Sequence, residues 1–188
     1  MTDDLRILIR RCIAGDQDAM QDLVARYRGR IYGLCYRMLG QQQDAEDATQ
    51  ETFVRVLKSL HQWDPNRDFE PWLLAIAGNR CRTAISNRQR RPTHQAIGEP
   101  LVDRTPDLLA ANQLAEEVQL GLEQLRPEYR EAFVLFHEHE LSYAEIATSL
   151  ECPLGTVKTW VHRARKELIR HLQRRAVIQE PAHALRNV

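Results

Sequence analysis

The chain has 188 residues, with 26 basic and 26 acidic side chains and a formal net charge of zero. This length suffices for one medium-sized domain or two small ones. Zero net charge gives the whole chain little general attraction for polyanions, and no window approaches the roughly 18–20 consecutive apolar residues of a membrane-spanning helix. The acidic start at residues 1–4 does not fit a secretory signal. We therefore expect a cytoplasmic protein with no direct membrane insertion.

The first half of the chain is dominated by helical periodicity, and no alternating segment is long enough to predict a strand. Apolar spacing predicts a short helix at 4–14 and a longer one at about 18–39. Asp44 is predicted to cap a third helix, and Pro71 stands where the first turn of a fourth helix tolerates proline. Residues 1–91 therefore read as a small all-α domain.

A change of character follows at residues 92–112. This segment has no hydrophobic period and contains three prolines, Pro92, Pro100 and Pro106. Such composition predicts a flexible linker. A linker of this length would let two small domains dock on separate sites of one large partner.

The second half of the chain, residues 113–175, is helical again. Apolar spacing predicts one helix through 114–125 and another at about 128–139. Residues 176–188 form a short tail without a clear pattern. The fold class predicted for the whole chain is therefore all-α, with two small helical domains joined by a linker.

The end of the second domain has the pattern of a helix-turn-helix. Ser142 and Glu145 have the spacing of a capping box at the start of a short helix. Residues 151–153 interrupt that helix, and a second helix begins near Leu154 with basic residues opposite its apolar face. The predicted inner face is Val157, Val161, Ala164, Leu168 and Leu172. This pattern is typical of DNA-binding proteins; an ordinary helical hairpin with a solvated basic face is the alternative.

Basic residues are concentrated in two segments. No acidic residue lies between Glu70 and Glu99, where five arginines occur. A second concentration runs from Lys158 to Arg175, with seven Lys or Arg and a single acid. Two basic segments separated by acidic ones suggest two contacts with DNA and a separate surface for a basic partner.

The four cysteines, at positions 12, 35, 81 and 152, are far apart and lack metal-ligand or redox-motif spacing. We interpret them as small apolar core residues, with a redox or metal role as the alternative. No Gly-rich phosphate loop or nucleophile elbow is present. We therefore expect no cofactor and no bound metal.

Several of these segments together resemble a known family. Leu141–Ala147, Pro153–Thr159 and Arg163–Arg165 resemble region 4 of the sigma-70 family, and more closely its extracytoplasmic-function (ECF) subgroup. Asp44–Phe53 independently resembles region 2.2, and Phe69–Asn79 resembles the stretch from region 2.3 to 2.4. The two motifs stand in the family's order and cover most of the chain outside the linker and tail.

The resemblance implies where RNA polymerase would bind. In this family region 2.2 docks on the clamp helices of the β′ subunit, and the β flap is a further contact. Carried over to this chain, the core-binding residues are Asp44, Asp47, Gln50 and Glu51. The three acids share one helix face by spacing, which suits basic clamp residues. From the residues alone, a solvated acidic face and a carboxylate metal site are the alternatives.

The resemblance also implies that the segment from Asn79 onward reads the −10 promoter element. Promoter opening requires a polar pocket for a base that leaves the stack, and cationic support for the strand. The candidate −10 residues are Asn66, Arg67, Asp68, Asn79, Arg80, Ser86, Asn87, Arg90 and Arg91. Many family members have an acidic residue where this chain has Thr83, which makes its −10 readout different in detail. Trp72 is interpreted as core rather than as a stacking platform.

The second helix of the helix-turn-helix is expected to read the −35 element in the major groove. The candidate residues are Thr156, Lys158, Thr159, His162, Arg163, Arg165 and Lys166. Those near the start of the helix would reach base edges, whereas Arg165 and Lys166 would meet phosphate or solvent.

The function expected is that of an initiation factor that binds core RNA polymerase and directs it to promoter DNA, not of an enzyme. The resemblance also implies an anti-sigma factor as a partner. A helix-turn-helix regulator that acts without polymerase is the main rival. A metal-dependent nuclease built on the acids at 44–51 is a second, and it would need acids from more than one element.

Overall fold

The computed structural model describes residues 3–90, 106–175 and 177, and every regular element in that part of the chain is helical. The helices are α1 Asp3–Ile13, α2 Gln17–Leu39, α3 Gln42–Ser59, α4 Phe69–Arg90, α5 Pro106–Glu123, α6 Pro127–His137, α7 Tyr143–Ser149 and α8 Leu154–Arg174. A short 3-10 turn, Leu60–Gln62, follows α3. None of the described helices has the length and apolar character to cross a membrane.

Local signals set the bounds of α2. Asp16 caps its start, because the Asp16 carboxylate accepts the Ala19 N–H at 3.1 Å. Gly40 ends it in the left-handed conformation, with φ of 74° and its own N–H donating to the Tyr36 carbonyl at 2.8 Å. The predicted helix at about 18–39 is therefore confirmed.

The start of α3 differs from the prediction. Asp44 does not cap this helix; it lies inside the first turn, and the cap position is occupied by Gln41 without a side-chain capping bond. The physical reason is local: the Gln42 and Gln43 amides donate to Glu46 and Asp47 one turn later, which favours helix in the preceding residues.

The first half of the molecule is built around α2, which packs against α1, α3 and α4. Its core contains large, fully buried side chains from α2 and α4: Leu23, Ile31, Leu34, Met38, Leu73 and Leu74. Trp72 is half-buried with its ring centre 5.6 Å from that of Phe69. It thus packs on this core, as the sequence indicated.

The second half is built around α8, which packs against α5, α6 and α7. The predicted inner face of α8 is buried from Val157 to Leu172. Helix α5 begins at Pro106, inside the segment 92–112 that we assigned to a linker. Proline lacks only an N–H that the first turn leaves unbonded, so Pro106 serves as a helix start rather than as a linker residue.

The two halves pack against each other. Helix α2 contacts α5 and α6, and α4 contacts α6 and α7. The buried apolar side chains of both halves form one contiguous cluster. A patterned sequence predicts each half, but the packing between them comes only from the structure.

Three of the cysteines, Cys12, Cys35 and Cys81, are buried in the core of the first half, as the apolar interpretation predicted. Burial raises the pKa of the Cys12 thiol and of the half-buried Cys152 thiol. Raised thiol pKa values disfavour the reactive thiolate, which agrees with a packing role.

Glu151, in the turn between α7 and α8, has a left-handed backbone with φ of 50°. That conformation costs a residue with a Cβ about 1–2 kcal/mol relative to glycine. We expect Glu151→Gly to raise the free energy of unfolding by roughly 1 kcal/mol, measured by chemical denaturation. Glu151→Ala is the control; an equal gain from alanine would contradict the backbone explanation.

His139 is a buried residue of the α6–α7 loop. It is 6% exposed, and burial together with the positive charge of Arg30 on α2 lowers its pKa from 6.5 to about 4. Glu70, at the start of α4, has its pKa raised by burial, although Arg30 opposes this at a distance of 2.6 Å. The loop therefore favours a neutral imidazole.

This arrangement predicts a pH-dependent stability. Because the folded-state pKa of His139 is depressed, its contribution is fully present above about pH 6.5 and is lost as the pH falls toward 4. Between pH 7 and pH 5 we expect the wild type to lose about 2 kcal/mol more unfolding free energy than His139→Gln. Glu70 titrates in both proteins and cancels in the comparison. Identical pH slopes for the two proteins would refute the assignment.

Candidate polymerase and promoter interfaces

The predicted core-binding acids lie on the exposed side of α3, but two of them are already paired. Glu51 forms an ion pair with Arg80 of α4, and Asp44 lies 3.7 Å from Arg88 of the same helix. These pairs are about half exposed, so each is worth little in stability. They partly neutralise the acids locally and also argue against a metal site there, since arginine occupies the side from which a cation would be held.

Asp47 and Gln50 lie beside those pairs on the exposed side of α3. Both are exposed, and Asp47 accepts a long intrahelical bond from Gln43, at 3.4 Å. Val54, one turn further along, is 54% exposed. In this row, an exposed apolar side chain bordered by polar groups matches the apolar centre and polar rim of a protein-binding surface.

Beside this row lies a groove of about 850 Å³ between α2 and α3. Its lining combines half-buried apolar side chains with polar groups at the rim: Met20, Gln21, Val24, Ala25, Arg28, Gly29, Tyr32, Glu46 and Leu57. The sequence does not predict this groove, because helical periodicity places Met20 and Val24 on the buried face of α2. The sequence feature that points to the groove is the position of Tyr32 and Arg28, which lie on α2 outside its buried apolar face.

The predicted −10 residues start in the loop before α4. Asp64 shapes this loop: its carboxylate accepts the Asn66 N–H at 2.9 Å, and its carbonyl accepts the Arg67 N–H at 3.0 Å. The Arg67 guanidinium lies 3.6 Å from the same carboxylate. Asn66, Arg67 and Asp68 are all exposed, so the loop presents a polar edge beside α4.

Helix α4 carries the remaining −10 candidates. Asn79 and Asn87 are exposed, Arg80 and Ser86 are half-buried, and all four fall on one broad side of the helix by spacing. The Asn79 side-chain carbonyl accepts a bond from Arg82. Thr83 is exposed, and its hydroxyl donates to the backbone carbonyl of Asn79 at 2.9 Å.

Two further −10 candidates cannot be placed. The side chain of Arg90 and the whole of Arg91 lie outside the described residues. Their predicted contacts with the DNA strand stay predictions.

The helix-turn-helix is formed as predicted. Ser142 Oγ accepts the Glu145 N–H at 3.2 Å, and the Glu145 carboxylate accepts the Ser142 N–H at 2.8 Å, which completes the capping box. Pro153 then precedes α8 at its cap position.

The predicted −35 residues on α8 divide into two groups. Lys158, Thr159, His162 and Lys166 are exposed along one side, and Thr156 is half-buried in the first turn. Arg163 is also exposed, but it donates to the Tyr129 hydroxyl at 2.9 Å; the half-buried Arg165 lies 3.2 Å from the His137 ring. Both of these arginines therefore reach back to α6, and burial with the nearby Arg165 charge lowers the pKa of His137.

Two family descriptions match the chain. Sigma-70 region 2 matches residues 8–91, and Sigma-70 region 4 matches residues 115–168. The ECF RNA polymerase sigma factor SigW of Bacillus subtilis is 36% identical over 179 residues, with 88% of this chain and 95% of that protein covered. The chain belongs to the ECF subgroup of the sigma-70 family.

Other relatives agree with this assignment. The RNA polymerase sigma-H factor of Pseudomonas aeruginosa is 30% identical, with 88% of this chain and 92% of that protein covered. Among solved structures, CnrH in complex with the cytosolic domain of CnrY is similar with a TM-score of 0.66 at 29% identity, covering 89% of this chain and 96% of that one. The sigma factor RpoE of Bartonella quintana, solved with the anti-sigma factor NepR, shows the same fold at a TM-score of 0.67 and 21% identity, with 81% of this chain and 96% of that one covered.

As an ECF sigma factor, the protein is an initiation factor that binds core RNA polymerase and directs it to promoter DNA. Sigma factors are transcription factors, not enzymes. The family assignment disfavours the regulator that acts without polymerase, because region 2 occupies the half of the chain where such a regulator would carry its own effector domain.

Proposed function

We propose that the two halves divide the work of this sigma factor. Residues 1–91 would bind the polymerase clamp and open and trap −10 DNA, and residues 113–175 would read the −35 element, with 92–112 between them and 176–188 as a tail. The observation that carries this proposal is the match of one chain to both sigma-70 regions, each with its own exposed polar surface.

For the polymerase contact, we propose that Asp47 and Gln50 make the principal bonds and that the β′ clamp helices lie along α3. Support comes from the exposed row of Asp47, Gln50 and Val54 and from the adjacent groove. Glu51 and Asp44 would join this contact if their arginine partners on α4 turned toward DNA. The β flap would then hold the second half of the chain.

For the −10 element, the exposed Asn79 and the polar edge at 66–68 would form the pocket for an unstacked base. Arg80 would support the strand, with Ser86, Asn87, Arg90 and Arg91 following the backbone further along α4. For the −35 element, Lys158, Thr159 and His162 would reach base edges, and Lys166 would meet phosphate. Arg163 and Arg165 would contact DNA while their guanidinium groups remain bonded to Tyr129 and His137 of α6.

An anti-sigma factor is the further partner that we propose. Two similar solved structures contain a bound partner, which in one is named an anti-sigma factor. Such an inhibitor would act by covering the polymerase and DNA surfaces. We also propose that the protein acts in the cytoplasm, where the polymerase is, and is held near a membrane only through such an inhibitor.

The proposed function is tested by run-off transcription from genomic fragments of the source organism, with purified core polymerase and with or without this protein. Discrete start sites that appear only with the protein are the expected result. If both core binding and initiation were absent in a preparation free of inhibitor, a helix-turn-helix regulator that acts without polymerase would be the better account.

The clamp contact is tested by reversing one charge. Asp47→Arg places a cation opposite basic clamp residues, and we expect core affinity to fall on the order of tenfold, measured by competition for labelled core polymerase. Glu116→Arg, an equal reversal at an exposed position of α5, is the matched control and is expected to bind normally. Unaltered affinity of Asp47→Arg would remove the clamp assignment.

The recognition helix is tested with Lys158→Ala, because Lys158 is exposed and Arg163→Ala would also break the bond to Tyr129. Loss of a base contact worth about 1–3 kcal/mol predicts initiation at −35-dependent promoters reduced by about 5-fold to 150-fold. Arg174→Ala removes an equal charge from the far end of α8 and is expected to have little effect. If the two variants initiated equally well, the front of α8 would not read bases.

A further inference from the structure

The proposed −35 surface contains an arginine that is bonded to a neighbouring helix. Arg163 of α8 is exposed, and its Nη1 group donates to the Tyr129 hydroxyl of α6 at 2.9 Å. Both residues belong to the second half of the chain, so this bond does not depend on the packing between the halves. It joins a side chain that we assign to DNA with one that has no assigned role.

The Tyr129 side chain is fixed by packing between helices. The residue is 7% exposed, and α6 packs along α8. The centre of its ring lies 6.5 Å from that of the half-buried Trp160 of α8. Trp160 and Arg163 are three residues apart and are therefore neighbours on the surface of α8. Tyr129 thus lies at the contact between the two helices and offers its hydroxyl from a set position.

The bond leaves one edge of the Arg163 guanidinium available. Arginine carries five N–H groups on one planar group. Nη1 donates to Tyr129, and no acceptor in the described part of the chain bonds to Nε or Nη2. The N–H groups of Nε and Nη2 are parallel, so this edge can bind two acceptors at once. In the major groove, O6 and N7 of guanine are such a pair of acceptors.

A fixed arginine binds at a lower entropic cost than a free one. A long exposed side chain loses rotamer freedom when it binds DNA. The bond to Tyr129 restricts Arg163 before DNA arrives, so less freedom is lost on binding. Arg165, the other arginine that reaches α6, is half-buried beside His137. Of the two, Arg163 is the one that is both restricted and exposed.

We propose that Tyr129 is a positioning residue for −35 recognition: its hydroxyl holds Arg163 with the Nε–Nη2 edge toward a guanine in the major groove. This inference rests on the proposed assignment of α8 to the −35 element. It gives α6, which has no predicted contact with DNA, an indirect part in promoter specificity.

The test removes the hydroxyl and keeps the ring. Tyr129→Phe and wild type are compared as holoenzymes with core polymerase, on a promoter found by run-off transcription and on single-base-pair variants of its −35 element. Loss of one hydrogen bond predicts initiation at the parent promoter reduced by about twofold to tenfold. The two proteins should initiate equally on the variant that lacks the guanine, because no contact is left to lose there.

Tyr27→Phe is the matched control. Tyr27 of α2 is also 7% exposed and loses the same atom, but it lies in the first half of the chain. We expect it to initiate like wild type on every −35 variant. Thermal unfolding of both phenylalanine variants checks that the fold is retained.

A double-mutant comparison shows whether Tyr129 acts through Arg163. Added to Arg163→Ala, Tyr129→Phe should change initiation less than about twofold, because the group that it positions is gone. An equal loss in both backgrounds would show a structural role and overturn the proposal. A loss that is the same on all −35 variants would also overturn it, since that is the pattern of a phosphate contact. Increased initiation by Tyr129→Phe would show that the bond keeps Arg163 from DNA.

Failure of the proposed function gives a different result. If Arg163→Ala initiated like wild type on every −35 variant, Arg163 would not belong to the −35 surface, and the assignment of α8 would lose this residue. An impaired Arg163→Ala beside a normal Tyr129→Phe would overturn the positioning role and leave that assignment standing.

Discussion

The buried charges of α6 constrain the rest of this structure. Arg130 and Glu131 are adjacent in sequence, and both are almost completely removed from solvent. Burial lowers the pKa of Arg130 and raises that of Glu131, while Arg82 opposes the latter change. Removing one partner from a buried ion pair typically costs about 3–5 kcal/mol. Arg130 bonds to the Met38 carbonyl and Glu131 pairs with Arg82, both in the first half of the chain. These bonds fix the position of α6 relative to α2 and α4.

This constraint explains features that otherwise lack a reason. Gly78 leaves room for the Glu131 carboxylate within a helix that would be more stable with a larger residue. Gly40 ends α2 where the Glu123 side chain of the second half comes close. The same contacts place α6 and α7 of the second half beside α4, the helix on which we propose the −10 surface.

Much of the fold could be predicted from the sequence, because a helix is indicated by local features: the spacing of its apolar residues and the residues that cap its ends. The capping box of Ser142 and Glu145 and the apolar face of α8 were predicted correctly. The prediction that Asp44 caps α3 was wrong, since α3 begins two residues earlier, at Gln42. Bonds from Gln42 to Glu46 and from Gln43 to Asp47 stabilise this earlier start. Pro106 was read as linker, although proline also starts helices.

Of the candidate site, the sequence predicts only which side chains are exposed on their own helix; it does not predict contacts between helices. Exposed Asp47 and Lys158 follow from helical spacing, whereas the Arg80–Glu51 pair and the bond from Arg163 to Tyr129 depend on packing between helices. The central claim, that the first half reads the −10 element while the second half reads the −35 element of the same promoter, is tested most directly by the distance between labels at the exposed positions Lys58 and Gln173. We predict a distance below about 40 Å in the free protein, and one above about 60 Å in the complex with polymerase and promoter. The same distance in both states would contradict the account.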